Sequence, residues 1–420
     1  MSTAWPVFQP GWGPPHEHGK GLMGKLMRAI GLMSGTSLDG IDVAFITTDG
    51  EGHVERGPAM VFPYGQEMRD LLRAAIADAG NLKNRRERLG AMPHAERELT
   101  EHHGAAVSAF LRKQGIVRDS IDVIGFHGQT VLHKRPQGEN QSSKTGAPPS
   151  PRGPMLTIQL GLGEMLAELT RIPVVYDLRA ADAEAGGQGA PLVPVYHQAL
   201  AAKLPQRPLA VLNIGGVANV TWIGRDGRII AFDTGPGNAL IDDLVHRQTG
   251  EVFDACGARA AMGKANDSIV HDYLSDAYFS APPPKSLDRN AFTLDRVAGL
   301  SNEDGLATLT AFTSEAIARA REHMPEQPEL WIVCGGGRRN KTLMGMLAAK
   351  VENAVVPAEA AGLDGDSLEA EAWAYLAVRS LKGLAITFPG TTGVAQPMTG
   401  GRLAKPKANI FAPRTPANED

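Results

Sequence analysis

The alternation of two kinds of segment constrains the fold of this chain most strongly. From Ala29 onward, short apolar, β-branched runs end in glycine turns and are followed by longer amphipathic stretches, which predicts an α/β fold. The predicted strands are IDVAFITT, IDVIGF, PVVYDL, LAVLNIGG, NVTWI, RIIAFDTG and LWIVCGGG. The predicted helices are residues 66–79 and 96–113, GLGEMLAELT, ALIDDLVHRQT, residues 308–323 and SLEAEAWAYLAVRSL, whose apolar residues recur at intervals of three and four.

The charge balance and the cysteine content exclude several classes of protein. The chain has 42 Lys and Arg against 46 Asp and Glu, a formal net charge of -4, so we expect neither nucleic acid nor a membrane surface as a partner. The two cysteines, Cys256 and Cys334, lie in unlike sequence contexts. They form neither a disulfide framework nor a thiolate zinc site, and a reducing cytoplasm is expected.

The length and the composition predict the organisation of the chain. A chain of 420 residues exceeds what one hydrophobic core normally supports, which predicts two domains. Residues 1–29 mix Pro, Gly, Trp and His without periodicity and are interpreted as a disordered extension, in which the cluster from His16 to His18 is solvated rather than metal-bound. Residues 137–154 are rich in Ser, Pro and Gly and are interpreted as a surface insertion.

Three glycine-containing turns follow predicted strands, at residues 31–40, 213–219 and 334–340. Successive N–H groups in such turns form a concave nest for phosphate, although any α/β protein also needs tight turns. Because the pattern recurs after three separate segments, it favours phosphate binding. Neither the Walker string nor the glycine triplet of a Rossmann fold is present, so phosphate is bound in another way.

Acidic residues stand at the ends of several predicted strands. Asp39 and Asp42, next to three hydroxyl residues, are candidate Mg²⁺ ligands, directly or through water, and ordinary turn or cap residues are the alternative. Asp233 ends a predicted strand before a Gly-Pro-Gly turn. Its carboxylate is expected either to face a cleft or to cap a helix that begins at Asn238. Asp182 precedes the cluster GGQG, interpreted as a hinge between lobes.

Taken together, these segments resemble one family, the anhydro-N-acetylmuramic acid kinases of the actin, hexokinase and Hsp70 superfamily. The resemblance runs from about residue 31 to 406 and rests on GLMSGTSLDGIDVAF, GFHGQTVLH, TIQLG, DLRAADAEAGGQGAPLVP, LNIGGVANVT, FDTGPGNALIDD, PPKSLDRNAF, VCGGGRRN, LEAEAWAYLA and FPGTTGVAQPMTGGRLAKP. The chain departs from the family pattern at Leu178, where Phe is common, and in the longer loop at residues 137–154.

The resemblance implies a two-lobed, actin-like ATPase fold in which each lobe is built on a five-stranded mixed sheet of the ribonuclease H type with helices on both faces. The first lobe would span residues 30–188. The second would span residues 189–385, with its terminal helix returning to the first lobe, and residues 386–420 would form a C-terminal segment and tail. ATP and sugar would bind in the cleft between the lobes, and closure of the lobes would assemble the site.

The resemblance also assigns roles to individual residues. It implies that Asp233 is the catalytic base and that Glu369 positions water and sugar. Sugar contacts are implied for Thr36, His127 and Arg179, the last as a bidentate partner of the lactyl carboxylate, although a lone His127 at the end of a strand is more often structural. The implied ATP-binding residues are Gly35, Thr36, Ser37, Leu38, Asp39, Gly40, Ile41, Asp42, Asn213, Gly215, Gly216, Gly335, Gly336, Gly337 and Asn340.

The expected activity is that of an ATP- and Mg²⁺-dependent sugar kinase of peptidoglycan recycling. It would hydrolyse the 1,6-anhydro ring of 1,6-anhydro-N-acetylmuramic acid and phosphorylate O6, and the family suggests a homodimer. Two alternatives stay open at this point. One is a kinase for another sugar that transfers phosphate without hydrolysis, and the other is an ATP-switched binding protein of the same fold.

Overall fold

The computed structural model describes residues 24–35, 37–134 and 155–407, and two mixed sheets organise it. The strands are β1 (Met27–Ser34), β2 (Gly40–Thr48), β3 (Val54–Pro63), β4 (Val123–Lys134), β5 (Leu156–Leu160), β6 (Val174–Tyr176), β7 (Leu209–Ile214), β8 (Val217–Ile223), β9 (Ile229–Pro236), β10 (Leu330–Cys334), β11 (Ala354–Pro357) and β12 (Arg402–Ala404). The helices are α1 (Gln66–Ala79), α2 (Met92–Gln114), α3 (Gly163–Thr170), α4 (Ala180–Glu184), α5 (Pro194–Ala201), α6 (Ala239–Thr249), α7 (Asp267–Leu274), α8 (Ala277–Ser280), α9 (Asn302–Arg319), α10 (Lys341–Val351) and α11 (Leu368–Leu381).

The two sheets share one strand order. In the first, β3-β2-β1-β4-β6 run in sequence across the sheet, and in the second β9-β8-β7-β10-β11 do the same. In both, the first three strands are antiparallel neighbours and the last three are parallel neighbours. This repeated order is the ribonuclease H arrangement that the sequence motifs led us to expect. The α/β fold class is confirmed.

The first sheet is larger than the five strands that were expected. It has seven, because β5 pairs antiparallel with β4 and β12 pairs antiparallel with β6. The prediction that His127 stands at the end of a strand is wrong, since β4 continues to Lys134 and pairs there with β5. β12 lies in the predicted C-terminal segment, so part of that segment completes the first sheet.

Helix α11 lies directly on the first sheet. It packs against β1, β2 and β4, and most of its side chains are buried. The contact with the sheet is unusually close because glycine occupies β1 and β4 beneath it. A Cβ atom at Gly31 would stand 1.7 Å from the carbonyl oxygen of Ala370, and one at Gly125 would stand 2.0 Å from that of Trp373. The predicted division of the chain, with a lobe boundary at residues 188 and 189 and a terminal helix that returns to the first lobe, stays a prediction.

Several boundaries differ from the predicted ones. α1 and α6 have the predicted bounds, whereas α9 ends at Arg319 and a short 3₁₀ turn follows it to His323. β1 begins at Met27, so the interpretation of residues 1–29 as disordered is wrong for their last three residues. The His16–His18 cluster and the insertion at residues 137–154 lie outside the described residues.

Two further findings concern the part of the chain that the structure describes. No helix there combines the length and the apolar character that crossing a membrane requires. Both cysteines carry free thiols, with Cys256 exposed and Cys334 buried. The two side chains therefore form no disulfide with each other in this structure.

The close approach of α11 to β4 gives a test of the fold. We expect Gly125→Ala to lower the free energy of unfolding by about 1–3 kcal/mol, because the new methyl group overlaps the Trp373 carbonyl and forces α11 away from the sheet. Urea denaturation measures the change. Gly52→Ala is the matched control, since a Cβ at exposed Gly52 meets nothing within 4 Å. Equal stability of the two variants would contradict the proposed packing.

Candidate active site

Asp233 lies near the end of β9 and is fixed by the loop that contains residues 285–287. The backbone N–H of Leu287 donates to Asp233 Oδ2 at 2.8 Å, and the N–H of Asp233 donates to the carbonyl of Lys285 at 3.0 Å. Burial raises the pKa of Asp233 to about 7, against the opposing effects of the Leu287 hydrogen bond and the charge of Arg179. The carboxyl group is therefore held in one orientation and titrates near neutral pH.

Glu369 lies in the first turn of α11 and reaches toward the second sheet. Its Oε1 accepts a hydrogen bond of 2.8 Å from the side-chain amide of Asn213, in β7. Burial raises the pKa of Glu369, while Arg179 and the Asn213 hydrogen bond act in the opposite direction. Helix α11 thus carries a carboxylate from the first sheet to the second.

Arg179 immediately precedes α4, where it packs against two rings. Its Nε and Nη2 each lie 3.2 Å from His127 Nε2, and its Nη1 donates to the carbonyl of Gly189 at 2.8 Å. The guanidinium stands 5.2 Å from the ring centroid of Trp373, and the His127 ring lies 4.4 Å from the same tryptophan. Burial, followed by the charge of Arg179, lowers the pKa of His127 well below its usual value. A neutral ring whose Nε2 accepts from Arg179 carries its proton on Nδ1.

Arg179 also links the two carboxylates electrostatically. Burial lowers its pKa to about 10, and the charges of Glu369, Asp182 and Asp233 oppose that shift. The guanidinium therefore stays protonated at neutral pH. It lies among acidic groups of α4, β9 and α11, so four of the residues predicted to contact the sugar, His127, Arg179, Asp233 and Glu369, lie in one region.

Asp182 has a different part from the other acids. Its Oδ2 accepts the backbone N–H of Gly189 at 2.7 Å, and its Oδ1 accepts the hydroxyl of Thr392. The side chain is buried, with 2% of its surface exposed. Both oxygens are occupied by structural hydrogen bonds, which makes Asp182 an anchor of the GGQG segment rather than a candidate base. The interpretation of that segment as a hinge stays a prediction.

The first glycine turn buries two of its side chains, those of Leu38 and Ile41, in the hydrophobic core. Leu38 adopts a left-handed conformation with φ of 57°, and its N–H donates to the carbonyl of Gly35 at 3.2 Å. The side chains of Leu38 and Ile41 belong to the hydrophobic core, so these two residues can offer a ligand only their backbone groups. Ser37 and Asp39 are exposed, and Gly40 packs its backbone against Phe62. Thr36 lies outside the described residues.

The two candidate Mg²⁺ ligands lie beside this turn. Asp39 Oδ1 accepts the hydroxyl of Ser37 at 2.7 Å. Burial and the charges of Asp39 and Glu369 raise the pKa of Asp42 to about 7. The described residues contain no cluster of three or more metal-ligating side chains. Mg²⁺ usually binds one or two carboxylates and keeps waters or phosphates as its other ligands, so the oxygen donors and the mutual repulsion of these acids fit that ion.

The second and third glycine turns pack against each other. The N–H of Asn238, at the start of α6, donates to the carbonyl of Gly215 at 2.7 Å, and the N–H of Gly237 donates to that of Gly216 at 2.9 Å. Gly335 has φ of 73°, and a Cβ there would lie 2.3 Å from Asn213 Oδ1. Gly336 and Gly337 begin the 3₁₀ turn Gly336–Arg339. These turns therefore meet at Asn213, the residue that holds Glu369.

Comparison with known proteins identifies the family. The model of the family "Anhydro-N-acetylmuramic acid kinase" matches residues 27–405. The chain belongs to the anhydro-N-acetylmuramic acid kinase family. It is similar to the anhydro-N-acetylmuramic acid kinase of Rhizobium etli, with 51% identity over 90% of this chain and 98% of the relative. The relative from Azorhizobium caulinodans is 54% identical, over 90% of this chain and 100% of its own.

The enzyme class expected from the sequence is thereby confirmed: the chain is an anhydro-N-acetylmuramic acid kinase by family, and it uses ATP. Among solved structures, a ligand-bound xylulose kinase from Lactobacillus acidophilus aligns over 91% of this chain and 94% of its own. Its TM-score is 0.41 at 10% identity.

Asn340 has a structural task in this kinase. Its side chain caps α10 by accepting the N–H of Leu343 at 2.9 Å, and 8% of its surface is exposed. The side-chain oxygen of Asn340 is therefore already hydrogen-bonded within the protein. Its role in ATP binding stays a prediction. The contact with ATP would have to come from the amide nitrogen or the backbone of Asn340.

Two residues beside the site were not singled out from the sequence. Trp373 forms the platform under His127 and Arg179, and it lies four residues after Glu369 on the same face of α11. The helical periodicity of the LEAEAWAYLA segment is the sequence signal that places Trp373 on the same face as Glu369. Gln188 was seen only as part of a glycine-rich hinge, and no sequence pattern indicated its contacts.

The capping role of Asn340 gives a direct test. We expect Asn340→Ala to lower the free energy of unfolding by about 1 kcal/mol, because the Leu343 N–H loses its acceptor. Asn340→Asp keeps the acceptor and should retain the stability of the parent. Thermal denaturation measures both variants. An alanine variant as stable as the aspartate variant would show that the cap contributes nothing.

Proposed function

We propose that this kinase opens the 1,6-anhydro ring of 1,6-anhydro-N-acetylmuramic acid with water and transfers the γ-phosphoryl group of ATP to O6. The product is N-acetylmuramic acid 6-phosphate, formed during peptidoglycan recycling in the cytoplasm by an enzyme that acts as a homodimer. One observation carries the proposal: Arg179 lies in the field of both Asp233 and Glu369, so one site contains a base, a second carboxylate and a cation.

The reaction balances without an added acid. Water oxygen bonds to C1 as the bond from C1 to O6 breaks, and the electron pair of that bond stays on O6. O6 then bonds to the γ-phosphorus as ADP departs, and one water proton passes to Asp233. A glycosidase supplies a carboxylic acid to protonate the leaving oxygen. Here the phosphoryl group takes that place, so the site requires a base more than an acid.

Asp233 suits the role of the base. Its pKa of about 7 makes it far more basic than an ordinary aspartate, and general bases work best when their pKa lies near the working pH. Leu287 occupies Oδ2, and no described residue hydrogen-bonds Oδ1. The free oxygen is the one that would accept the water proton.

Glu369 would position the water and the sugar. Asn213 fixes Oε1, which orients the whole carboxylate and leaves Oε2 for a ligand. A carboxylate held from one side in this way orders a water molecule with little loss of side-chain entropy at the moment of reaction.

Arg179 would recognise the lactyl carboxylate. A guanidinium has five N–H groups, of which three bond to His127 and Gly189. The remaining N–H groups on Nη1 and Nη2 suit a carboxylate, which arginine binds as a bidentate partner. Because His127 is neutral, it holds the guanidinium without cancelling its charge.

ATP would bind along the three glycine turns, and Asp39 and Asp42 would hold Mg²⁺ beside the first of them. Bound Mg²⁺ supplies positive charge that neutralises the phosphates during phosphoryl transfer. Burial and the repulsion from Asp39 and Glu369 raise the pKa of Asp42, and a bound cation would offset that repulsion, which supports this placement.

Replacing the base should abolish most of the activity. We expect Asp233→Asn to lower kcat by at least ~10²-fold, because the amide accepts no proton at neutral pH. Coupled ADP release measures turnover, and circular dichroism with ATP binding checks the fold. Asp226→Asn is the control, since Asp226 is an exposed residue in the β8–β9 turn. Near-parental turnover of folded Asp233→Asn protein would refute the assignment.

The raised pKa of Asp233 predicts the pH profile. Protonation removes the base, so kcat/KM should fall as pH drops through about 7 and approach a tenfold loss per pH unit below about pH 6. Measuring at saturating Mg-ATP suppresses the titration of Asp42, because a bound cation stabilises its carboxylate. A rate that stays flat down to pH 5 would rule out Asp233 as the titrating base.

A further inference from the structure

Gln188 makes three hydrogen bonds to two distant segments of the chain. Its backbone N–H donates to the carbonyl of Thr392 at 2.8 Å. Its Oε1 accepts the hydroxyl of Ser286 at 2.9 Å, and its Nε2 donates to the carbonyl of Pro284 at 3.3 Å. Both the oxygen and the nitrogen of the side-chain amide thus bond to one short stretch of loop, residues 284–286.

The neighbours of these contacts are the residues of the active site. Gly189 follows Gln188 and accepts Nη1 of Arg179 at 2.8 Å. Leu287 follows Ser286 and donates to Asp233 Oδ2 at 2.8 Å. A continuous path of hydrogen bonds and peptide links therefore joins the sugar-side arginine to the base, and Gln188 is its central residue.

The loop around Leu287 is held by single contacts, and its far end is held separately, by the Tyr273 hydroxyl on the Thr293 carbonyl and by the ion pair of Arg289 with Asp243. Residues 281–294 contain no helix or strand, so no regular hydrogen-bond ladder fixes the Leu287 N–H. Within the loop, the carbonyl of Lys285 accepts the N–H of Asp233, and Pro284 packs on Gly393, where a Cβ would approach to 2.6 Å. Gln188 supplies the side-chain bonds nearest to Leu287. Loss of those bonds would loosen the donor that orients the base.

We propose that Gln188 is a positioning residue which, through Ser286, holds the Leu287 N–H against Asp233 and keeps the base aligned with Arg179. This inference rests on the proposed role of Asp233 as the base. It assigns the GGQG segment a part in catalysis that is separate from bending between lobes.

The charged and titratable groups around Asp233 are not altered by changing Gln188. Arg179 faces the carboxylate from the start of α4, and Tyr278 of α8 donates its hydroxyl to the Asp233 carbonyl. The ammonium of Lys285 donates to the Tyr278 carbonyl at 3.0 Å. None of these groups bonds to the Gln188 side chain among the described residues. A change in the titration of Asp233 would therefore report the Leu287 hydrogen bond.

The test compares pH profiles of kcat/KM for Gln188→Ala, Ser286→Ala, the double variant and Ser286→Thr. A hydrogen bond to the charged form lowers a pKa, so its loss should move the acidic midpoint up by roughly one pH unit. Activity would then fall about fivefold at pH 7 and recover at pH 9, as expected for a base titrating near 8 rather than 7. Gln198→Ala is the matched control, because Gln198 is a half-buried glutamine that bonds the distant carbonyl of Gly227.

The pattern across the variants decides the matter. The proposal expects equal upward shifts in Gln188→Ala and Ser286→Ala, no further shift in the double variant, and a parental midpoint in Ser286→Thr, which retains the hydroxyl. Unshifted midpoints, or a loss of activity that is equal at pH 7 and pH 9, would overturn it while leaving Asp233 as the base. An active Asp233→Asn variant would instead overturn both, since no base would remain to be positioned.

Discussion

The site depends on the contact between α11 and the first sheet. Gly31 and Gly125 remove the side chains that would separate them, so the helix backbone lies on β1 and β4 at a distance that a single methyl group would prevent. That contact fixes the direction of the helix, and its first turn then delivers Glu369 to Asn213 in the second sheet. Trp373 faces the site from the next turn. The geometry of the proposed catalytic site is therefore a consequence of backbone packing in the interior.

The second requirement is the balance of charge in this interior. Asp233 and Glu369 are both in environments that disfavour a negative charge, and burial raises the pKa of each. Arg179 offsets part of that cost without removing it, which leaves Asp233 basic enough to accept a proton at neutral pH. His127 holds Arg179 as a neutral acceptor because burial keeps its own pKa low. A negatively charged side chain in place of His127 would neutralise Arg179, and a protonated histidine would repel it.

Much of the fold and part of the site could be predicted from the sequence. Strands such as β7 and β10 are apolar runs followed by glycine, and Asp233 stands out because it lies near the end of another apolar run, β9, just before a Gly-Pro-Gly segment. Other features depend on distant contacts that leave no local pattern. β12 is three residues long and exists because β6 offers it an edge, and the bonds from Gln188 to Ser286 join residues far apart in the chain. Asp182, like Asp233, follows a predicted strand and precedes glycines in the sequence. Only the hydrogen bonds that it accepts from Gly189 and Thr392 reveal its structural role.

The central claim is that one site couples hydrolysis of the anhydro ring to phosphoryl transfer. The most direct measurement is mass spectrometry of the product formed from Mg-ATP and 1,6-anhydro-N-acetylmuramic acid in ¹⁸O-labelled water. The account predicts a sugar phosphorylated at O6 that carries the label at C1. An unchanged sugar, or a phosphorylated sugar whose anhydro ring is intact and unlabelled, would contradict it.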